Sequence, residues 1–183
     1  YRFRQTPVVP NPLNRVIQPV LLFPDPRLKE VCQDVGSVNE TAAQLLTDLT
    51  DTLYSTPGVG IAAPQIGTLL RAIVVDVTWL PPRKGKEPPK GHGRIALLNP
   101  KVVLSEGTIT FHEGCLSIPE FLADVRRSSF VRVEGLDRDG NPAAYESEGF
   151  EAVALQHEID HLDGILFLDR VSDIKTDLFR RKK

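Results

Sequence analysis

Methionine is absent from this chain, and tryptophan occurs once. Without a methionine, Tyr1 is not expected to be the start of translation, so something upstream was processed, cut or left out. Cysteine is nearly absent too. Cys32 and Cys115 are too few for a disulfide framework, and a reducing compartment is expected. No apolar run approaches the roughly 20 residues of a membrane span, so no membrane partner is expected. The opening "YRFRQTPVVPNPLNRVIQPV" is polar and broken by proline, with no signal-peptide pattern. Its amide-rich, acid-free composition would also suit the remnant of an organellar transit region. A formal net charge of −2 gives no sign of a sequence-specific nucleic-acid partner.

At 183 residues the chain is long enough for one domain with a sizeable core and too short to expect two. Residues 1–19 read as an extended arm, 20–170 as a single domain, and 171–183 as a basic tail. "VLLFPDPRL" is an apolar run stopped by Pro-Asp-Pro, a strand end or turn. From Glu40 to Ser55, Leu45, Leu46, Leu49 and Leu53 recur at helical spacing. "NET" at 39–41 matches a glycosylation sequon, but Asn39 reads better as the cap of that helix. "TPGVGIAAPQIG" ends it and is apolar enough to expect packing. "RAIVVDV", "IALLNPKVVL" and "GTITFHEG" are strand candidates. "PPRKGKEPPKGHGR" between the first two is a solvated basic insertion. "SSFVRVEGLDRDGNPAAYES" reads as a hairpin turning at "DRDGNP". A helix follows from Phe150 to about Leu162, with Gly164 as its C-cap. "DIKTDLFRRKK" reads as a short basic helix. The order of helix, strands and helix predicts an α+β fold with helices on antiparallel sheet.

The chemistry concentrates in "LQHEIDHLDG". Residues four apart on a helix share a face, so His157 and His161 aim two imidazoles at one point. They extend a stripe through Phe150, Val153 and Ala154, with Glu158 beside the first histidine. This is H-E-x-x-H, in which two histidines hold a metal and the glutamate serves as general base toward water. A catalytic tetrahedral site needs a third protein ligand. His92, His112 and Cys115 are the candidates. Cys115 follows a strand and sits in the glycine-containing bend "HEGCLSIP".

Three stretches together, "GVGIAAPQIG", "EGCLSIP" and "QHEIDHLDG", resemble the signature motifs of peptide deformylase, type 1-like, in the same order. "PDPRL" fits the same pattern, and the resemblance spans roughly 17–170. It implies an α+β fold of antiparallel strands wrapped around a central metal-binding helix. It implies an enzyme removing the N-formyl group from the formyl-methionine of new polypeptides. Cys115, His157 and His161 would hold one divalent metal ion, Fe2+ in the cell and Zn2+ or Ni2+ in a purified form. Glu158 would be the general acid/base, with Gln65 and the Leu116 backbone N–H stabilising the oxyanion. Val59, Gly60, Ile61, Phe111, Glu113, Gly114, Phe150, Val153 and Ala154 would contact substrate, "GVGI" through its backbone, with Val59, Phe111, Phe150, Val153, Ala154 and His157 walling the methionine slot. The implied partner is the N-formyl-methionyl nascent peptide, with the ribosome a further candidate through "RRKK". The implied location is bacterial cytoplasm, with plastid or mitochondrion as alternatives.

One position departs from that pattern: Leu122 stands where many bacterial members carry an arginine able to contact substrate. Arg126 or Arg127 is a candidate partner for Glu113. Two other readings stay open. A zinc peptidase also uses H-E-x-x-H, but no third ligand follows His161 at a suitable distance. A structural metal module would not need Glu158.

Overall fold

The computed structural model describes residues 16–81 and 87–181. Residues 1–15 of the expected arm, 82–86 of the insertion, and Lys182 and Lys183 of the tail lie outside the described residues. In chain order the elements are α1 (Glu40–Leu53), β1 (Gly60–Ala62), β2 (Ala72–Val75), β3 (Ile95–Glu106), β4 (Ile109–Cys115), β5 (Ile118–Arg127), β6 (Phe130–Leu136), β7 (Pro142–Glu148), α2 (Gly149–Leu162), α3 (Ile174–Asp177) and β8 (Leu178–Arg180). They form two antiparallel sheets, β1-β2-β3-β6-β7 and β4-β5-β8. The fold is α+β.

Asn39 does cap α1: its Oδ1 accepts from the Ala42 amide at 3.1 Å. The leucine stripe of α1 packs on one face of the larger sheet. The described end of the arm is tied to the same helix, with the amides of Val16 and Gln18 donating to Asp51 and Thr52. In β2, side chains alternate between two buried faces. Ala72 and Val74 join the cluster under α1, while Ile73 and Val75 join the cluster under α2. The helix α2 therefore has one apolar face, Ala152, Leu155, Ile159 and Leu162, on the larger sheet. His157 and His161 lie on its opposite side, toward the smaller sheet. Helix α2 is buried on both sides, so its sequence shows no simple amphipathic stripe.

Two elements differ from expectation. "IPEFLADVRR", not assigned as a strand, is β5. Its inward positions are Ala123, Val125 and Arg127, all buried. An arginine at an inward position hides the alternation that marks a half-buried strand. The expected C-terminal helix shrinks to the single turn α3. The chain then continues as β8, pairing Phe121 with Arg180 and Ala123 with Leu178. The basic insertion is anchored at its described end. The amide of His92 donates to Glu151 at 2.8 Å, and its ring Nδ1 lies 2.7 Å from the same carboxylate. Glu151, in the first turn of α2, is buried.

Gly164 ends α2 with φ +69°, and a methyl group there would sit 2.5 Å from the Lys29 carbonyl oxygen. Gly164→Ala should lose about 1–3 kcal/mol of stability by urea unfolding. Gly36→Ala, with open space at that position, should change it by about 0.5 kcal/mol or less.

Candidate metal centre

Cys115, His157 and His161 converge. One donor atom from each lies within 4.8 Å of the others, and all three residues are buried. Helix α2 places the two imidazoles one turn apart, with ring centroids 5.0 Å from each other. The third side chain arrives from the end of β4, where the register slips between Gly114 and Cys115 and the chain turns back into β5. Cys115 Sγ lies 3.2 Å from His161 Nε2. The other two histidines are elsewhere: His92 meets Glu151, and His112 pairs with Asp124 on the exposed side of β4.

His157 is oriented by a neighbour, whereas His161 Nδ1 is buried without a partner among the described residues. His157 Nδ1 lies 2.8 Å from Glu113 Oε2, which leaves Nε2 to face Cys115. Glu113 in turn accepts from Arg127 Nε at 2.6 Å and Nη2 at 2.9 Å. Arg127 Nη1 donates to Asp160 at 2.6 Å, and Arg170 completes the set on Asp160. Of the two arginine candidates for Glu113, Arg127 makes the pair and is buried, while Arg126 is exposed. Asp160, one of the variable positions inside H-E-x-x-H, escaped the sequence reading. Its neighbours in sequence carry no sign that Arg127 would bury it.

The charges of this network set the titration behaviour. Burial alone would raise the Glu113 carboxyl, but hydrogen bonds from Arg127 and His157 outweigh it and hold the pKa below the ordinary range. Burial opposes charge on His157, yet Cys115, Glu113 and Glu158 push its pKa well above that of free histidine. His161 is pushed well below by burial and by the positive charges of His157 and Arg127. Glu158 is raised to about 7, chiefly by burial, with His157 and Arg127 pulling the other way.

The donor chemistry fits a divalent metal ion. One thiol and two imidazoles are a familiar set for Zn2+ or a similar ion. Glu158 Oε2 is buried with no partner among the described residues. Glu158 lies against Gly60, whose missing side chain makes the room: a methyl group there would collide with Glu158 Oε1. Gln65 is fixed at both ends. Its Oε1 accepts from the Ala62 amide at 2.9 Å, and its Nε2 donates to Ser117 Oγ at 3.1 Å beside Cys115 Sγ. The stretch 21–23 braces both loops, the amides of Leu21 and Phe23 donating to the carbonyls of Gln65 and Ser117. Leu116 packs against Gly58.

The residues expected to contact substrate divide into groups. Phe111 and Phe150 stack at 5.0 Å and are half-buried. Val153 and Ala154 are buried on α2, and Val59 is half-buried beside β1. Ile61 turns its side chain into the α1 core, and Glu113 turns its own onto Arg127 and His157. A cavity of about 640 Å³ on the far side of α2 is lined by Lys101, Arg126, Arg127 and Arg170 among others. It touches none of the three converging donors.

The polypeptide deformylase family model matches residues 17–177. A peptide deformylase of Syntrophobacter fumaroxidans is 44% identical over 163 residues, covering 89% of this chain and 91% of its own length. A peptide deformylase structure from Legionella pneumophila is 42% identical with a TM-score of 0.76, covering 87% of this chain and 88% of that one. A Met-Ala-Ser-bound class I type b peptide deformylase from Acinetobacter baumannii is 31% identical with a TM-score of 0.79, covering 86% and 100%.

Replacing Arg127 with alanine removes two donors from buried Glu113, leaving it His157, and one from Asp160, leaving it Arg170. Stability should fall by about 3–5 kcal/mol in chemical denaturation, with bound metal reduced. Arg126→Ala, on the exposed face, should leave both measurements unchanged.

Proposed function

We infer the roles of these residues from the premise that the chain belongs to the polypeptide deformylase family. It is a peptide deformylase, an enzyme that removes the N-formyl group from formylated nascent peptides, and the family uses a single metal ion. Our assignment of Cys115, His157 and His161 as the ligands rests on their convergence. When bound, the ion supplies Lewis acidity that makes a water a nucleophile near neutral pH and polarises the formyl oxygen. Fe2+ is the proposed resident ion, with Zn2+ or Ni2+ acceptable to the same donors.

Glu158 takes the proton of the attacking water and later gives one to the leaving amine. Its unpartnered oxygen and its raised pKa, about 7, suit a group that must do both. Negative charge develops on the formyl oxygen. The Gln65 amide, held at its Oε1 end by Ala62, offers Nε2, and Leu116 offers its backbone N–H.

The peptide itself is proposed to add as a strand. β1 is an edge strand among the described residues. The Val59 carbonyl accepts from the Asp76 amide at 2.8 Å, so by alternation Ile61 also faces β2 and Gly60 turns its N–H and C=O outward. β4 is the edge of the other sheet, and Leu116 just beyond it packs against Gly58, so a peptide laid along Gly60 is proposed to run beside Gly114 and Cys115. Its methionine side chain is proposed to enter the slot of Val59, Phe111, Phe150, Val153 and Ala154. We place the protein in the bacterial cytoplasm, where formylated chains emerge from the ribosome.

Glu158→Ala should keep one metal per chain by elemental analysis after anaerobic purification, yet lose about 10²–10⁴ in kcat on formyl-Met-Ala-Ser. Metal lost along with turnover would count against the assigned role. Gln65→Leu should lower kcat about 10²–10³-fold with the metal retained. Full activity in a preparation stripped of metal would overturn the mechanism.

A further inference from the structure

The tail reaches the strand that carries Cys115. β8 lies on β5, with Leu122 opposite Phe179, and the Arg181 amide donates to the Glu120 carbonyl at 2.8 Å. The next strand across β5 is β4, in which Gly114 lies opposite Leu122. A methyl group placed on Gly114 would fall 2.7 Å from Leu122 Cδ2 and 2.8 Å from Arg181 Nη2. The guanidinium therefore crosses β5 and rests over the backbone of Gly114, one residue before Cys115. A larger residue there would have to push the guanidinium and the Leu122 tip aside. Arg181 makes no ion pair among the described residues.

We propose that Arg181 is a substrate-contact residue, donating to an acceptor of the peptide beyond its formyl-methionine. Gly114 belongs to the open edge of β4, and one strand residue spans about 3.3–3.4 Å. A peptide whose formyl group meets Cys115 and His161 and which runs along this edge passes the guanidinium within its next residues. Backbone carbonyls there, or a terminal carboxylate on a short substrate, suit a planar donor fork. β5 supplies no cation at this spot, because Leu122 occupies the position facing Gly114. The tail brings one from a different strand. Recognition through backbone acceptors would be indifferent to the sequence of the nascent chain, as a general processing enzyme requires.

The inference rests on the proposed strand-like binding, and the test separates the two. Steady-state kinetics on the metal-loaded enzyme would compare formyl-Met-Ala-Ser with formyl-Met-amide. Arg181→Ala should raise KM for the tripeptide about fivefold to tenfold, the size expected for a partly exposed charged hydrogen bond. Its kcat and its KM for formyl-Met-amide should stay within about twofold, and Arg181→Lys should fall between. An equal change for both substrates, or none, would overturn the proposal. Formyl-Met-Ala-Ser methylated in turn at each internal amide nitrogen tests the strand reading in the wild-type protein. If none of these raises KM, strand-like binding fails, whatever Arg181 does.

Discussion

One buried guanidinium joins the two halves of the metal centre. Arg127, on β5, grips Glu113 of β4 with two donors and Asp160 of α2 with a third. The proposed ligands come from those same two elements, Cys115 from β4 and the histidines from α2. A charge this deep is tolerated only because carboxylates on both sides compensate it. The pairing therefore sets the distance between strand and helix, and through Glu113 it also sets which nitrogen of His157 faces the other donors.

The layered fold supplies the remaining constraint. Helix α2 is pressed between two sheets, its leucine and isoleucine face on one and its histidine face on the other. The larger sheet ends at β1 and the smaller at β4, and both edges border the converging side chains. Open edges are a hazard in most sheets, and in the proposed binding mode they take the extended substrate. Gly60 has a double part in this arrangement. It turns backbone groups to the edge, and its lack of a side chain leaves space for the Glu158 carboxylate.

Much of this was legible in the residues. The leucine spacing of α1, the Asn39 cap, the "DRDGNP" hairpin and the helix carrying H-E-x-x-H all depend on neighbours within a few positions. The strand β5 was not legible, because its inward Arg127 broke the alternation, and its reason for being inward lies on other elements. The choice between Arg126 and Arg127 was open for the same reason: it follows from which face of β5 meets α2. The tail misled as well. Its charge reads as a solvated helix, whereas Leu178 and Phe179 pair with β5.

By itself the sequence determined the helix, the two imidazoles on one side of it, and the three short motifs that mark the family. Those signals are local, since helical periodicity and contiguous motifs need no partner to be read. The motif resemblance already named Cys115 as the third donor, and the tertiary structure brings it, and not His92 or His112, to the histidines. Only the tertiary structure decided that Asp160 is buried and that Arg181 lies over Gly114. These are contacts between side chains on separate strands and helices, brought together by packing, and no spacing along the chain encodes them.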